Sequence, residues 1–299
     1  ISFNQPQLCP SATWNHNAIP FADRSIVGES LWTIFINTNN TIYTINKIKK
    51  KILIWNQNNL NFTYITLDDF LYPVSLFVTS NGDIYFDNEH MSNSTVQRWD
   101  SKTHTFESVM NINSSCYGLF IDINDDLYCS LGDNHQVVKR NLKSSSMTSI
   151  RVAGTGYEGS NPNELKSPIG IFVDMNLNLF VADRGNHRIQ LCLYGEENAI
   201  TVAGQRSYKL TIILNGPSGI TLDANNYLFI VDTWLSRVVG EGPYGFRCLF
   251  GCYEHVSQSN QLKEPVAMSF DSFGNMFVVD PDNDRIQKFS IENSCGKWI

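Results

Sequence analysis

The side chains that could do chemistry in this chain are six histidines, seven cysteines and one short acidic run. A catalytic zinc needs three protein donors of the N, S or carboxylate type meeting at one point, with a fourth position left open. His16, His90, His104, His135, His187 and His255 are scattered along the sequence, and no H-E-x-x-H pair brings two of them together locally. There is no G-x-S-x-G turn to expose a nucleophilic serine and no glycine loop to cradle a phosphate. The run Asp280-Pro281-Asp282-Asn283-Asp284 begins like a calcium loop. It then places Arg285 where the sixth-position glycine belongs and Ile291 where the closing glutamate belongs, so it reads as a tight turn. No catalytic residue, metal or cofactor is assigned on this basis.

The cysteines and asparagines point to a different chemistry. N-x-S/T sequons begin at Asn39, Asn61, Asn93 and Asn113, all in the first 115 residues, and together with the cysteines they suggest an oxidising, extracellular setting. Their crowding suggests that one side of the molecule is sugar-coated. Cys9 and Cys295 could join the two ends of the chain. That bond would close a loop of 295 − 9 = 286 positions, and the chain-entropy account values it at roughly 5–6 kcal/mol. Cys248 with Cys252 is a local candidate. Cys116 with Cys129 is a third, although simple hairpin register sets those two several residues apart. Cys192 is then left over on a strand, read as a buried thiol, with pairing to another molecule as the alternative.

The elements that must position these groups are repeated. An apolar strand, an Asn/Asp/Gly turn and a second strand with an aliphatic-aromatic pair recur six times. The copies run from Phe35 to Tyr43, Phe77 to Tyr85, Phe120 to Tyr128, Phe172 to Phe180, Thr221 to Phe229 and Ser269 to Phe277. In each, the aromatic lies six residues past the first turn residue: 43−37, 85−79, 128−122, 180−174, 229−223 and 277−271. Fixed spacing inside the hairpin and variable spacing between hairpins predict an all-β, six-bladed propeller. The hairpins start near 31, 73, 116, 168, 217 and 265, in a single domain over residues 1–299.

Several copies continue into a further turn and a third strand. Asp183 to Arg188, Asp232 to Arg237 and Asp280 to Arg285 share one spacing, and Asn186 and Asn283 sit inside the first and third of these turns. Asn186-His187-Arg188-Ile189 resembles the NHL repeat, and the resemblance covers residues 25–290, similar to extracellular multi-NHL proteins of small invertebrates. The first two copies depart from it at Lys47-Ile48-Lys49-Lys50 and Asn88-Glu89-His90. The resemblance implies a propeller. It also admits a zinc lyase whose histidines stand between a proline or its equivalent and a glycine, but the matching positions here are Ile169, Ser218 and Tyr117. Independently of family, an arginine five residues past an aspartate can reach back across the hairpin and pin it, so these residues read as structural.

Arg151-Val152-Ala153-Gly154, Thr201-Val202-Ala203-Gly204 and Cys248-Leu249-Phe250-Gly251 end blades as outer strands. Ser25-Ile26-Val27-Gly28 has the same form, so the N-terminal segment, residues 1–28, is expected to complete the last blade and remove an open sheet edge. The net charge of −7 argues against a nucleic-acid partner. No apolar run is long enough to span a membrane. The expectation is a secreted, glycosylated, non-catalytic module that binds a protein or glycan through the long loops 101–115, 154–168, 205–217 and 252–265. Self-association into oligomers or filaments is one version of this reading. A lyase or hydrolase with a channel metal is the alternative.

Overall fold

The protein is described from a computed structural model covering residues 2–9, 11–56, 61–88, 94–207, 212–252 and 261–293. Six four-stranded antiparallel sheets make a six-bladed β-propeller. Blade I comprises Phe35–Ile36, Ile42–Asn46, Lys51–Trp55 and Phe62–Thr66, and blade II comprises Leu76–Val78, Ile84–Asn88, Thr95–Trp99 and Phe106–Asn111. Blade III comprises Gly118–Ile121, Asp126–Leu131, Gln136–Asn141 and Ile150–Gly154. Blade IV comprises Pro168–Val173, Leu179–Asp183, Arg188–Cys192 and Ile200–Gly204. Blade V comprises Pro217–Leu222, Leu228–Asp232, Arg237–Gly242 and Gly245–Phe250. Blade VI takes three strands from the C-terminal part, Ala267–Phe270, Met276–Asp280 and Arg285–Phe289, and its outer strand, Ile19–Ala22, from the N-terminal part.

The constant hairpin spacing has a local cause. The first turn residue is Asp or Asn in five blades, and its Oδ1 accepts two main-chain N–H groups, as Asp122 does from Asn124 and Asp126 at 2.9 Å each. That side-chain clamp mimics a backbone turn. The fourth turn residue then swings to positive φ: Asn40, Asp125, Leu177 and Asn226 lie between 58° and 65°, and Gly82 and Gly274 near 90°. A turn closed by a left-handed residue fixes the register of the second strand against the first. The first-strand aromatic accordingly faces the second-strand one, as Phe77 faces Tyr85, Phe120 faces Tyr128 and Phe172 faces Phe180.

The chain divides into two compact units. The first holds residues 1–2 and 67–218, hence blades II to IV. The second holds residues 3–66 and 219–299, hence blade V apart from its first two residues, and blades VI and I. In the first unit the inner strands pack ring against ring, with Phe77–Phe120 and Phe120–Phe172 centroids 5.3 and 5.0 Å apart. The core of the second unit is organised round Trp14, buried against Phe229, Phe250 and Phe270. The Trp14 indole N–H donates to the Gly274 carbonyl at 2.8 Å, so its one polar atom is satisfied. Beside it, the two-residue strand Thr13–Trp14 pairs with Ile291–Asn293.

The N-terminal segment does complete blade VI, but the strand lies earlier than its sequence pattern indicates. Ile19, Pro20 and Ala22 face Lys288, Gln287 and Ile286. Residues 25–27, expected from the Ser25-Ile26-Val27-Gly28 pattern to lie in the outer strand, instead belong to one helical turn, Arg24–Val27, that Gly28 ends. Asp23 decides this, because its carboxylate accepts from Ser25 N at 3.0 Å and from Ser25 Oγ at 2.6 Å and caps the turn. What Ser25–Gly28 shares with the true tails is the exit glycine: Gly28 has φ +75°, beside +76° at Gly154 and +84° at Gly204.

Candidate interaction surface

The Asp/Arg motif does more than pin its own hairpin. Asp183 is fully buried, and its Oδ2 accepts from Arg188 Nε at 2.7 Å and Asn186 Nδ2 at 2.8 Å. Its Oδ1 takes the Lys166 main-chain N–H at 2.7 Å. Burial pushes this carboxyl upward, against the hydrogen bonds from Lys166, Asn186 and Arg188 that favour the ion. The remaining Arg188 nitrogens donate to the carbonyls of Ser160, Asn161 and Glu164 at 3.0–3.1 Å. One guanidinium therefore holds the long loop that leads into its own blade. Blade VI repeats the arrangement: Asp280 receives Lys263 N, Asn283 and Arg285, and Arg285 reaches the Gln261 carbonyl. Blade V keeps the Asp232–Arg237 pair at 2.8 Å.

The residue just ahead of the third strand, where Arg188 and Arg237 follow in blades IV and V and Gln136 in blade III, is left-handed, and it holds the connection that leads into the next blade. His135 and His187, φ 52° in both, accept the main-chain N–H of Ser167 and Gly216 through Nδ1, at 3.1 Å each. In blade V the same position is Ser236, whose Oγ accepts from Glu264 N at 3.2 Å. An acceptor Nδ1 places the proton of a neutral imidazole on Nε2. His104 stacks on Trp99, and His16 packs edge-on to Phe250. His90 and His255 lie outside the described residues. Among the described residues no group of three or more His, Cys, Asp or Glu converges as a metal site. Ile169 and Ser218 are buried side chains, and Tyr117 is half-buried.

Of the long loops read from sequence, 101–115 is not a single loop, because it contains Phe106–Asn111, the outer strand of blade II. The connection 155–167 is a loop with internal structure. Glu158 bridges Leu165, Leu165 is buried, and Asn161 N donates to Glu164 at 3.0 Å, which holds the Glu164 carboxyl below its usual range. Arg206, from the next connection, donates to Ser160 O and Oγ at 2.8 Å. On this frame Tyr157 stands 81 % exposed, and Ile213 in the 205–217 connection is 77 % exposed. Residues 208–211, and 253–260 of the fourth loop, lie outside the described residues.

Cys116–Cys129 and Cys248–Cys252 are bonded, with Cα–Cα distances of 5.5 and 5.8 Å. The first closes although Cys129 faces Leu119 in the ladder. The chain breaks register just ahead of Gly118, where Tyr117 N donates to Ser130 O, and this brings Cys116 alongside. Cys9 is disulfide-bonded, and Cys295 lies outside the described residues. Cys192 is a free thiol that burial pushes up to about 12. Asn39 and Asn61 are exposed in the first-to-second and third-to-fourth strand turns of blade I, and Asn113 is exposed in the connection that leaves blade II. These are opposite ends of the respective blades, so the sequons do not all occupy one kind of turn. Asn93 lies outside the described residues.

One buried acid escaped the sequence reading. Asp87 stands where the other blades carry Ile45, Ser130, Ala182, Val231 and Val279. Its Oδ1 accepts from Val74 N and Ser75 N at 2.8 Å each, its Oδ2 has no partner, and burial raises the carboxyl to about 7. The signal available was a carboxylate two residues past Tyr85, at a position where four of the other five blades carry an apolar residue and blade III an uncharged Ser130.

The arrangement defines a six-bladed propeller in which Arg188 holds the long 155–167 connection through its main-chain carbonyls. Solved structures of the same fold include virginiamycin B lyase from Staphylococcus aureus, at TM-score 0.64 and 13% identity, covering 94% of this chain and 100% of that one. A putative gluconolactonase aligns at TM-score 0.62 and 11% identity, covering 95% and 94% of the two chains. A chain of a nidogen/laminin complex aligns at TM-score 0.64 and 16% identity, covering 82% and 88%. No family model and no curated protein matches the sequence.

Proposed function

We propose that this chain is a secreted, glycosylated propeller of NHL type that binds a protein or glycan partner through the 155–167 and 205–217 loops. A second copy of the chain is the first partner to test. The observation that carries the reading is Arg188. A buried guanidinium committed to three loop carbonyls makes the Tyr157 platform rigid before any partner arrives, and pre-organised aromatic anchors favour affinity. The Cys116–Cys129 and Cys248–Cys252 disulfides and several exposed sequon asparagines support an oxidising compartment, and no helix among the described residues is long and apolar enough to cross a membrane. One solved relative of the fold belongs to a complex of two proteins.

The enzyme reading rests on the lyase and gluconolactonase neighbours, at identities that speak for the fold alone. Against it, His135 and His187 already spend Nδ1 on main-chain N–H groups. The deciding experiment pairs light scattering over a concentration series with metal analysis of the same protein. Concentration-dependent oligomers that Tyr157→Ala reduces support the module. A clean monomer holding stoichiometric zinc or calcium sinks it in favour of the lyase or hydrolase alternative.

A further inference from the structure

The chain docks part of itself on its own turns, and that contact shows what such turns can hold. In the second unit, residues 3–8 pass over the first-to-second strand turns of blades V, VI and I. The Pro6 carbonyl accepts from Ala224 N at 3.2 Å, and the Leu8 carbonyl accepts from Asn225 Nδ2 at 2.7 Å. Asn4 Nδ2 donates to the carbonyls of Asn37 and Phe270 at 2.8 and 3.2 Å. A turn of the form Asp-x-Asn thus offers two donors to a passing peptide: the main-chain N–H of its second residue and the side-chain amide of its third.

Two turns of the first unit have the same form. Asp122-Ile123-Asn124 and Asp174-Met175-Asn176 match Asp223-Ala224-Asn225. The match extends to geometry, because each aspartate Oδ1 accepts the N–H of the third residue at 2.9 Å. The Asn124 and Asn176 amides are exposed, and neither takes part in a side-chain hydrogen bond among the described residues. Between each clamp and its free amide stands an exposed apolar side chain, Ile123 at 51 % and Met175 at 53 %. Tyr194 N donates to Asn178 Oδ1 at 3.2 Å, which sets the exposed 193–197 turn beside the blade IV turn. That turn carries Glu196 and Glu197, exposed and outside the ion pairs of the described residues.

We propose that this end of blades III and IV docks an extended, basic peptide segment of a partner protein, in the way residues 3–8 lie on the turns of the second unit. Peptide carbonyls accept from Asn124 and Asn176. Apolar peptide side chains lie on Ile123 and Met175, and a lysine or arginine faces Glu196 and Glu197. The proposal rests on the interaction-module reading but uses the blade ends opposite Tyr157, so the two can fail separately.

The test is fluorescence anisotropy of the intact protein with labelled peptides Phe-Asn-Gln-Pro-Gln-Leu, the sequence of residues 3–8, extended by two lysines or by two glutamates. The lysine peptide is expected to bind saturably and more tightly than the glutamate one. The double variant Asn124→Ala/Asn176→Ala should weaken it about tenfold, the loss of two modest hydrogen bonds. Glu196→Gln/Glu197→Gln should bring the two peptides together. Asn225→Ala, which touches only the chain's own segment, should leave probe binding unchanged. Absence of saturable binding at millimolar protein overturns the proposal, as does binding indifferent to the Asn124/Asn176 pair. Loss in Asn225→Ala overturns it too, since the probe would then be exchanging with residues 3–8. Loss only in Tyr157→Ala overturns it while supporting the loop reading.

Discussion

Asp87 makes the stability of this propeller fall as the solution becomes less acidic. The carboxyl is wholly buried with one oxygen unpartnered, and burial raises it from 3.8 to about 7. Below about pH 4 the group is protonated in both the folded and the unfolded chain and contributes no pH dependence. Between pH 4 and 7 the unfolded chain releases the proton and the folded chain keeps it, so unfolding gains. The full difference, 7 − 3.8 = 3.2 in pKa, is worth about 4 kcal/mol once the pH exceeds 7. Asp87→Asn keeps an acceptor for Val74 and Ser75 and removes the titration. Urea unfolding of both proteins from pH 4 to pH 8 isolates the term, since every other carboxylate is common to the pair. The variant should gain on the native protein by about 3–4 kcal/mol across that window. Profiles that stay parallel to within about 1 kcal/mol would show that Asp87 ionises freely in the fold, and the account of a stranded oxygen would be wrong.

Arg188→Ala leaves Asp183 buried without its cation and frees three loop carbonyls. Denaturant unfolding should lose about 3–5 kcal/mol, against less for Arg237→Ala, whose guanidinium is partly exposed. Opening Cys116–Cys129, separated by 13 residues, should cost about 3 kcal/mol, and opening Cys248–Cys252, separated by 4, about 2. Paired Cys→Ser variants measured by thermal unfolding under non-reducing conditions check that order. His187→Leu removes the acceptor for Gly216 N, and hydrogen exchange at that amide should accelerate while the blade III latch at His135 stays protected.

The six blades were legible because their cause is local. A side-chain clamp at the first turn residue and a left-handed fourth residue act within five positions, so the spacing survives even where the fourth residue is Leu177 rather than glycine or asparagine. The outer strand of blade VI was legible only in part. Ser25–Gly28 copies the tail pattern of Arg151–Gly154 down to the exit glycine. The choice between strand and helical turn was made by Asp23, one residue outside the pattern. Cys116–Cys129 could be named as a pair but stood against simple hairpin register for a similar reason, since the register break at Tyr117 is a three-dimensional event with no residue type to announce it.

The candidate surface was less legible than the fold because its determinants are main-chain atoms. Sequence assigns Arg188 to Asp183 from a spacing of five, yet its larger effect is on the carbonyls of Ser160, Asn161 and Glu164, which any residues could present. The same holds at the other end of the blades. Asp-x-Asn reads as an ordinary turn at 122–124, 174–176 and 223–225 alike. Only the path of residues 3–8 reveals that such a turn can receive a peptide. In this propeller, then, a motif residue identifies where the chain is held still. The groups that a held loop or turn presents are those the fold has not already used: His135 and His187 spend theirs on the connections that lead into the next blades, whereas the exposed Asn124 and Asn176 amides take part in no side-chain hydrogen bond among the described residues.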